Sequence, residues 1–266
     1  MQMDSLKPVL RFSLLLILLL IFSCEDALEY NPLDPDNNPD FVEPETFLTM
    51  NDLEGSVLNT STVTITWQGN DLVTEYAYSL NDNWSEWSAD TSVTLNYLDE
   101  GDYTFSVKGR YASGDEDTTP ATASFSVDMV GAKGIRVYPL LTEMSTSANI
   151  YIYAEGVEEL VFFSFQIQFN PSILSVDVED IVRGSLISGI ADYAFLPKEI
   201  SAGLIEVSFT ALGSIGVSGT GSLATLPFSA NGSGSSTLQI INPQYGYIDG
   251  TVEPVTESAN GMVVIE

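Results

Sequence analysis

Histidine is absent from all 266 residues, and cysteine occurs once, as Cys24. The first absence removes imidazole-based activation of a nucleophile and histidine ligation of a metal. The second removes disulfides within the chain and cysteine-rich zinc sites. Bases are scarce as well: 8 Lys and Arg face 37 Asp and Glu, for a formal charge of −29. Two of the eight, Lys7 and Arg11, precede the long apolar run near the N-terminus. A surface of this sign repels phosphate backbones and anionic lipid, which excludes nucleic acid as a partner and any basic membrane-binding patch. No cofactor motif is present. Acids are abundant enough for a carboxylate pair, but no pair stands out, so an enzyme is not expected.

Lys7 and Arg11 are followed by an apolar run, Phe12 to Phe22, and then by Ser23 and Cys24. The run is too short to span a bilayer comfortably and fits the core of an export signal. A small residue before a lone cysteine resembles the lipobox of bacterial lipoproteins. That resemblance implies a signal peptide over residues 1–23 and lipid on Cys24, and hence a lipid-anchored, extracytoplasmic protein of the outer membrane or cell surface. Residues 24–45 read as an acidic, proline-rich tether, with Pro32, Pro35, Pro39 and Pro44 and no base, expected to be extended and disordered. Asp34, Asp36, Asn38, Asp40 and Glu45 mimic the spacing of a calcium loop, but Pro39 takes the place where such a loop needs glycine.

Two-residue periodicity dominates the rest, with no helical stripe of comparable quality. Between residues 46 and 130, Val63, Ile65 and Trp67 alternate with threonine. Further alternating runs lie at Tyr76 to Leu80, Val93 to Tyr97, Tyr103 to Val107 and Ala123 to Val127. Five short runs broken by Asn, Asp and Gly turns predict a β-sandwich. "LDEGDYTFSVKGRYASG" and "YSLNDNWSEWS" resemble fibronectin type III and related immunoglobulin-like modules, in which a tyrosine, here Tyr103, clamps the turn before a core strand. Trp84 and Trp87, three residues apart, are expected on opposite faces of a strand rather than on one sugar-stacking platform.

Residues 132–266 again read as short strands. Val161, Phe163, Phe165, Ile167 and Phe169 share one face and must be core; Leu160, Phe162, Ser164, Gln166 and Gln168 share the other. Ile205, Val207, Phe209 and Ala211 repeat the pattern, with Glu206, Ser208 and Thr210 outward. A turn at Asn170 and Pro171 ends the first run. The ordered set "ELVFFSFQIQFNPSIL", then Val182, Gly184 and Leu186, then "GLIEVSF", then Gly221, Leu223, Ala224, Leu226 and Phe228, then "GMVVIE" resembles a cohesin domain. The resemblance implies an all-β chain of two tandem β-sandwiches, the second a cohesin-type jelly roll.

It also implies a non-catalytic module that docks a protein partner, dockerin-like or other, in polysaccharide-degrading assemblies. The implied contact face is Phe162, Ser164, Gln166, Gln168, Glu206, Ser208 and Thr210. Family members place Asn and Asp where this chain carries Phe162 and Ser164; Phe162 is then either an exposed apolar anchor for a different partner or a side chain partly covered by a neighbouring loop. The alternative is a carbohydrate-binding module or adhesin on the cell surface, which would need several coplanar aromatics on one sheet face. Ca2+ cannot be assigned: Asp115, Glu116 and Asp117, and Asp177, Glu179 and Asp180, are candidate ligands only.

Overall fold

The computed structural model describes residues 40–266 apart from Asn51 and Ser214. The expected signal peptide over 1–23, the lipidation site Cys24 and most of the acidic tether lie outside the described residues. Among the described residues no helix is long and apolar enough to cross a membrane, and the one helical element is a single 3-10 turn at Val178–Asp180.

The first sandwich uses the alternating runs as strands and adds short ones. β1 (Thr46–Leu48), β3 (Val63–Gly69) and β6 (Ser92–Leu95) form one sheet. β2 (Val57–Leu58), β8 (Ala121–Val127), β7 (Gly101–Tyr111), β4 (Val73–Leu80) and β5 (Asn83–Trp84) form the other. Trp67, 3% exposed, joins the two sheets, its ring centroid 5.9 Å from those of Tyr78 and Phe105. The tyrosine clamp is present: Tyr103 Oη donates to the carbonyl of Asp99 at 2.9 Å, and burial pushes its phenol pKa upward.

Two local expectations change. Residues 41–45, assigned to the tether, are held in place. Phe41 meets Tyr111 edge-on at 6.2 Å, the Val42 carbonyl accepts from Tyr111 Oη at 2.8 Å, and Pro44 is buried. An apolar Phe41 and a buried Pro44 offset the extension that the acids favour. Trp84 and Trp87 do not point apart. Lys108 Nζ lies 5.1 Å from one ring centroid and 5.2 Å from the other, and Arg110 covers Trp87 at 4.4 Å. The cause is that β5 ends at Trp84, so strand alternation does not run on to Trp87.

The second sandwich is organised by one strand that serves both of its sheets, β11 (Ser147–Gln168). Its first half pairs with β9 (Ile135–Tyr138) and β16 (Val217–Ala230). Its second half pairs with β15 (Leu204–Ala211) and β17 (Gly234–Tyr247). Register shifts near Val157 and Leu160, with Gly156 and Glu159 at φ of 50° and 51°, bend the strand from one sheet into the other.

The second half's sheet continues outward through β14 (Tyr193–Ser201), which pairs with β15, and on the far side through β18 (Val252–Pro254) and β20 (Gly261–Ile265), which pair with β17. β10 (Leu141–Met144) pairs with β20. The first half's sheet is completed by β12 (Leu174–Ser175) and β13 (Val182–Arg183) on β16, and by β19 (Ser258–Ala259) on β9. Between the sheets lies one apolar core containing Ile150, Ile152, Phe163, Phe165, Phe209, Phe228 and Val263, all essentially inaccessible. This is the jelly-roll arrangement that the cohesin resemblance implies.

The bend also corrects the reading at its own position. Leu160, placed outward by strict alternation, is fully buried, and Val161, placed in the core, is only partly buried. Two residues of β11 oppose one of β17 between Leu160 and Phe162, so the inward–outward phase slips there and resumes at Phe162.

Candidate functional site: an outward sheet face

Antiparallel pairing places directly opposed residues on the same face of a sheet. The register therefore builds rows across five strands. The first runs Ala194, Thr210, Phe162, Gly246, Val252 from β14 to β18. The second runs Leu196, Ser208, Ser164, Gln244, Pro254. The third contains Lys198, Glu206 and Gln166. Five strands at ~4.8 Å spacing make a face ~19 Å wide. All seven residues expected on the contact face lie on this sheet surface: Phe162, Ser164, Gln166, Glu206, Ser208 and Thr210 are half-buried, and Gln168 is exposed at its end, opposite Leu204.

Phe162 has a specific bed. A Cβ built on Gly246 would lie 2.9 Å from Phe162 Cβ and 3.1 Å from its Cδ1, so the aromatic side chain occupies the space that glycine leaves open. Exposed apolar groups on the same face are Val252 in the Phe162 row, at 58% exposure, and Leu196 in the next, at 60%. In the third row, Glu206 accepts from Lys198 Nζ at 2.8 Å and from Gln166 Nε2 at 3.1 Å. The hydrogen bonds from Lys198 and then from Gln166 hold its carboxyl below the ordinary glutamate pKa. Glu206 is thus a fixed, ionised acceptor near neutral pH and not a proton donor. Ser164 and Ser208 have no imidazole to activate them, since the chain contains none. The face can hold a ligand through apolar contact and directed polar groups.

Sequence reasoning missed the flanks of this face. β14, with Leu196 and Lys198, is an edge strand with both sides partly exposed and Pro197 in its middle, so it lacks clean alternation. The rarity of bases was a usable signal for Lys198. On the other flank, Gly246 within a long strand marked a close approach.

The candidate calcium ligands do not converge. Asp115 accepts from Ser113, Glu116 pairs with Lys108 at 2.6 Å, and buried Asp117 accepts from Thr119. Asp177 caps the 3-10 turn through the amide of Glu179. Among the described residues no group of three acids, histidines or cysteines could hold a metal ion.

Fold and face together define a jelly-roll sandwich with a mixed apolar and polar sheet surface. Residues 146–265 match the family model of the cohesin domain, so this stretch of the chain is a cohesin domain. Similar solved structures include a non-cellulosomal cohesin from Archaeoglobus fulgidus, 19% identical, covering 51% of this chain and 92% of that one at a TM-score of 0.42. The sixth cohesin of scaffoldin B from Acetivibrio cellulolyticus, solved in complex with a dockerin, is 18% identical, covering 51% and 99% at 0.44. A type II cohesin dyad from the same organism is 11% identical, covering 83% and 98% at 0.44. No curated protein matches the chain.

Proposed function

We propose that the chain is a lipid-anchored protein of the cell envelope whose cohesin domain docks a protein partner, dockerin-like or otherwise complementary, within polysaccharide-degrading assemblies. The domain works by non-covalent binding and not by catalysis. Its contact face is the surface of β14, β15, the second half of β11, β17 and β18, with Phe162, Ser164, Gln166, Glu206, Ser208 and Thr210 at its centre and Gln168 at its end. The observation that carries this reading is the row through Phe162: an aromatic side chain bedded on Gly246, with exposed Val252 in the same row and exposed Leu196 in the next. An apolar anchor ringed by polar groups is the pattern of a binding hot spot. The family match over residues 146–265 supports the docking role.

The anchor rests on the basic residues Lys7 and Arg11, the apolar run before Cys24 and that cysteine itself. The first sandwich, resembling fibronectin type III and immunoglobulin-like modules, serves as a spacer, and the tether before residue 41 lifts it from the membrane.

The test is capture of purified dockerin-like modules, encoded in the same genome and recognised by duplicated Ca2+ loops, on immobilised protein. Retention of at least one, lost on Phe162→Asp or Leu196→Asp, supports the reading. Retention indifferent to both substitutions, or none at all, overturns it.

A further inference from the structure

The other sheet of the same domain turns a different surface outward. Register sets Tyr138, Tyr151, Thr225 and Val182 in one row across β9, β11, β16 and β13. Tyr153 stands two residues along β11 on the same face. The three tyrosines meet one another: Tyr138 lies 6.5 Å from Tyr151 and 5.3 Å from Tyr153, and Tyr151 lies 6.5 Å from Tyr153. Their interplanar angles of 43°, 61° and 80° make a ribbed cradle and not a flat platform. Tyr138 is 37% exposed, and the other two are half-buried.

Arg136 lies against this cluster, its guanidinium 5.3 Å from the Tyr138 ring and 4.9 Å from that of Tyr153. The residue is 7% exposed, and its Nε is bonded to Glu155 at 2.8 Å. Its Nη1 is a buried donor with no hydrogen-bond partner among the described residues. Around the rings the outward groups are the amide of Asn149 and the hydroxyls of Ser147, Thr225 and Ser229.

Charge decides what this surface suits. The chain carries −29, yet the rings, the amide and the hydroxyls of this patch are uncharged, and the two acids beside them, Glu155 and Glu100, are both held by Arg136, at 2.8 and 2.9 Å. A polyanion is repelled by the rest of the molecule, and a basic protein finds here only acids that Arg136 already engages. A neutral carbohydrate has what the patch complements: C–H faces for the rings, and hydroxyls for the phenols, the amide and the serine and threonine side chains. The angled rings suit a single glycan chain seated between ribs and not a flat crystalline surface. We propose that Tyr138, Tyr151 and Tyr153 form a binding site for a neutral polysaccharide, on the sheet opposite the docking face.

The test is affinity electrophoresis of the detergent-solubilised full-length protein in gels containing hydroxyethylcellulose, xyloglucan or soluble starch, with polygalacturonate as the anionic comparison. At least one neutral glycan should retard the protein, and Tyr138→Ala/Tyr151→Ala should weaken that affinity at least tenfold. Should the double variant fold poorly, Tyr138→Ser alone, at the exposed rib, should still weaken it severalfold. Phe162→Asp should leave retardation unchanged, which separates this site from the docking face. Absence of retardation by every neutral glycan, retardation by polygalacturonate alone, or retardation unaltered by the tyrosine substitutions would each overturn the proposal.

Discussion

Phe163 and Phe162 are neighbours in sequence with opposite surroundings, and that contrast yields a quantitative test of the sheet. Phe163 is fully buried and stacked on Phe165 at 5.7 Å and on Phe209 at 5.4 Å, with near-parallel rings. Truncation to alanine removes a buried aromatic and leaves a cavity that flanking strands cannot close, a change that costs about 3–5 kcal/mol. For a domain of ~130 residues the unfolding entropy at the midpoint is about 0.27 kcal/mol/K, so Phe163→Ala should lower Tm by roughly 11–18 °C. Phe162 is half-buried on the outer face, and Phe162→Ala should cost about 1 kcal/mol, or roughly 4 °C. Differential scanning calorimetry of the two variants measures this directly. Should Phe163→Ala not fold at all, Phe163→Leu keeps most of the volume and should cost about 1–2 kcal/mol. Equal penalties at the two positions, or a larger one at Phe162, would refute the inward–outward assignment on which the docking face depends.

Other outcomes follow from single contacts. A side chain at Gly184 would place its Cβ 2.0 Å from the carbonyl oxygen of Ser222; Gly184→Ala should therefore destabilise the second sandwich by more than about 3 kcal/mol in urea unfolding. Tyr103→Phe removes the hydroxyl that clamps Asp99 and should cost about 1 kcal/mol by the same measurement. Glu206 has a depressed pKa in the folded protein, so its stabilising contribution is present above its ordinary value of 4.5 and is lost as pH falls through the lower folded value. NMR titration of its carboxyl should show that low midpoint, and Lys198→Met should move it upward. Cys24→Ser should abolish incorporation of labelled palmitate and release the protein from membranes, if Cys24 carries the anchor.

What was legible in the sequence was whatever alternation and turn chemistry express locally. Phe163, Phe165, Ile167 and Phe169 announced a core face because large apolar groups two residues apart admit one arrangement in a strand. Glu206, Ser208 and Thr210 announced the matching strand, and Asn170 with Pro171 the turn that ends the first. Their alignment into rows needed register, which no single strand contains. Leu160 escaped because a bulge with Glu159 at positive φ shifts the phase by one residue, a non-local consequence of joining two sheets. The flank with Leu196 escaped because an edge strand interrupted by proline carries a weak pattern. The tyrosine cradle escaped for another reason: Tyr151 and Tyr153 alternate with Ile150 and Ile152 in the sequence, but Tyr138 reaches them only through pairing of β9 with β11.

Hydroxyl-radical footprinting of the protein alone and with a bound dockerin-like partner tests the central claim most directly. The account predicts protection of Phe162, Leu196 and Pro254, with Tyr138 and Tyr151 as reactive in the complex as in the free protein. Protection confined to those tyrosines or to the first sandwich, with Phe162 and Leu196 still fully oxidised, would contradict it.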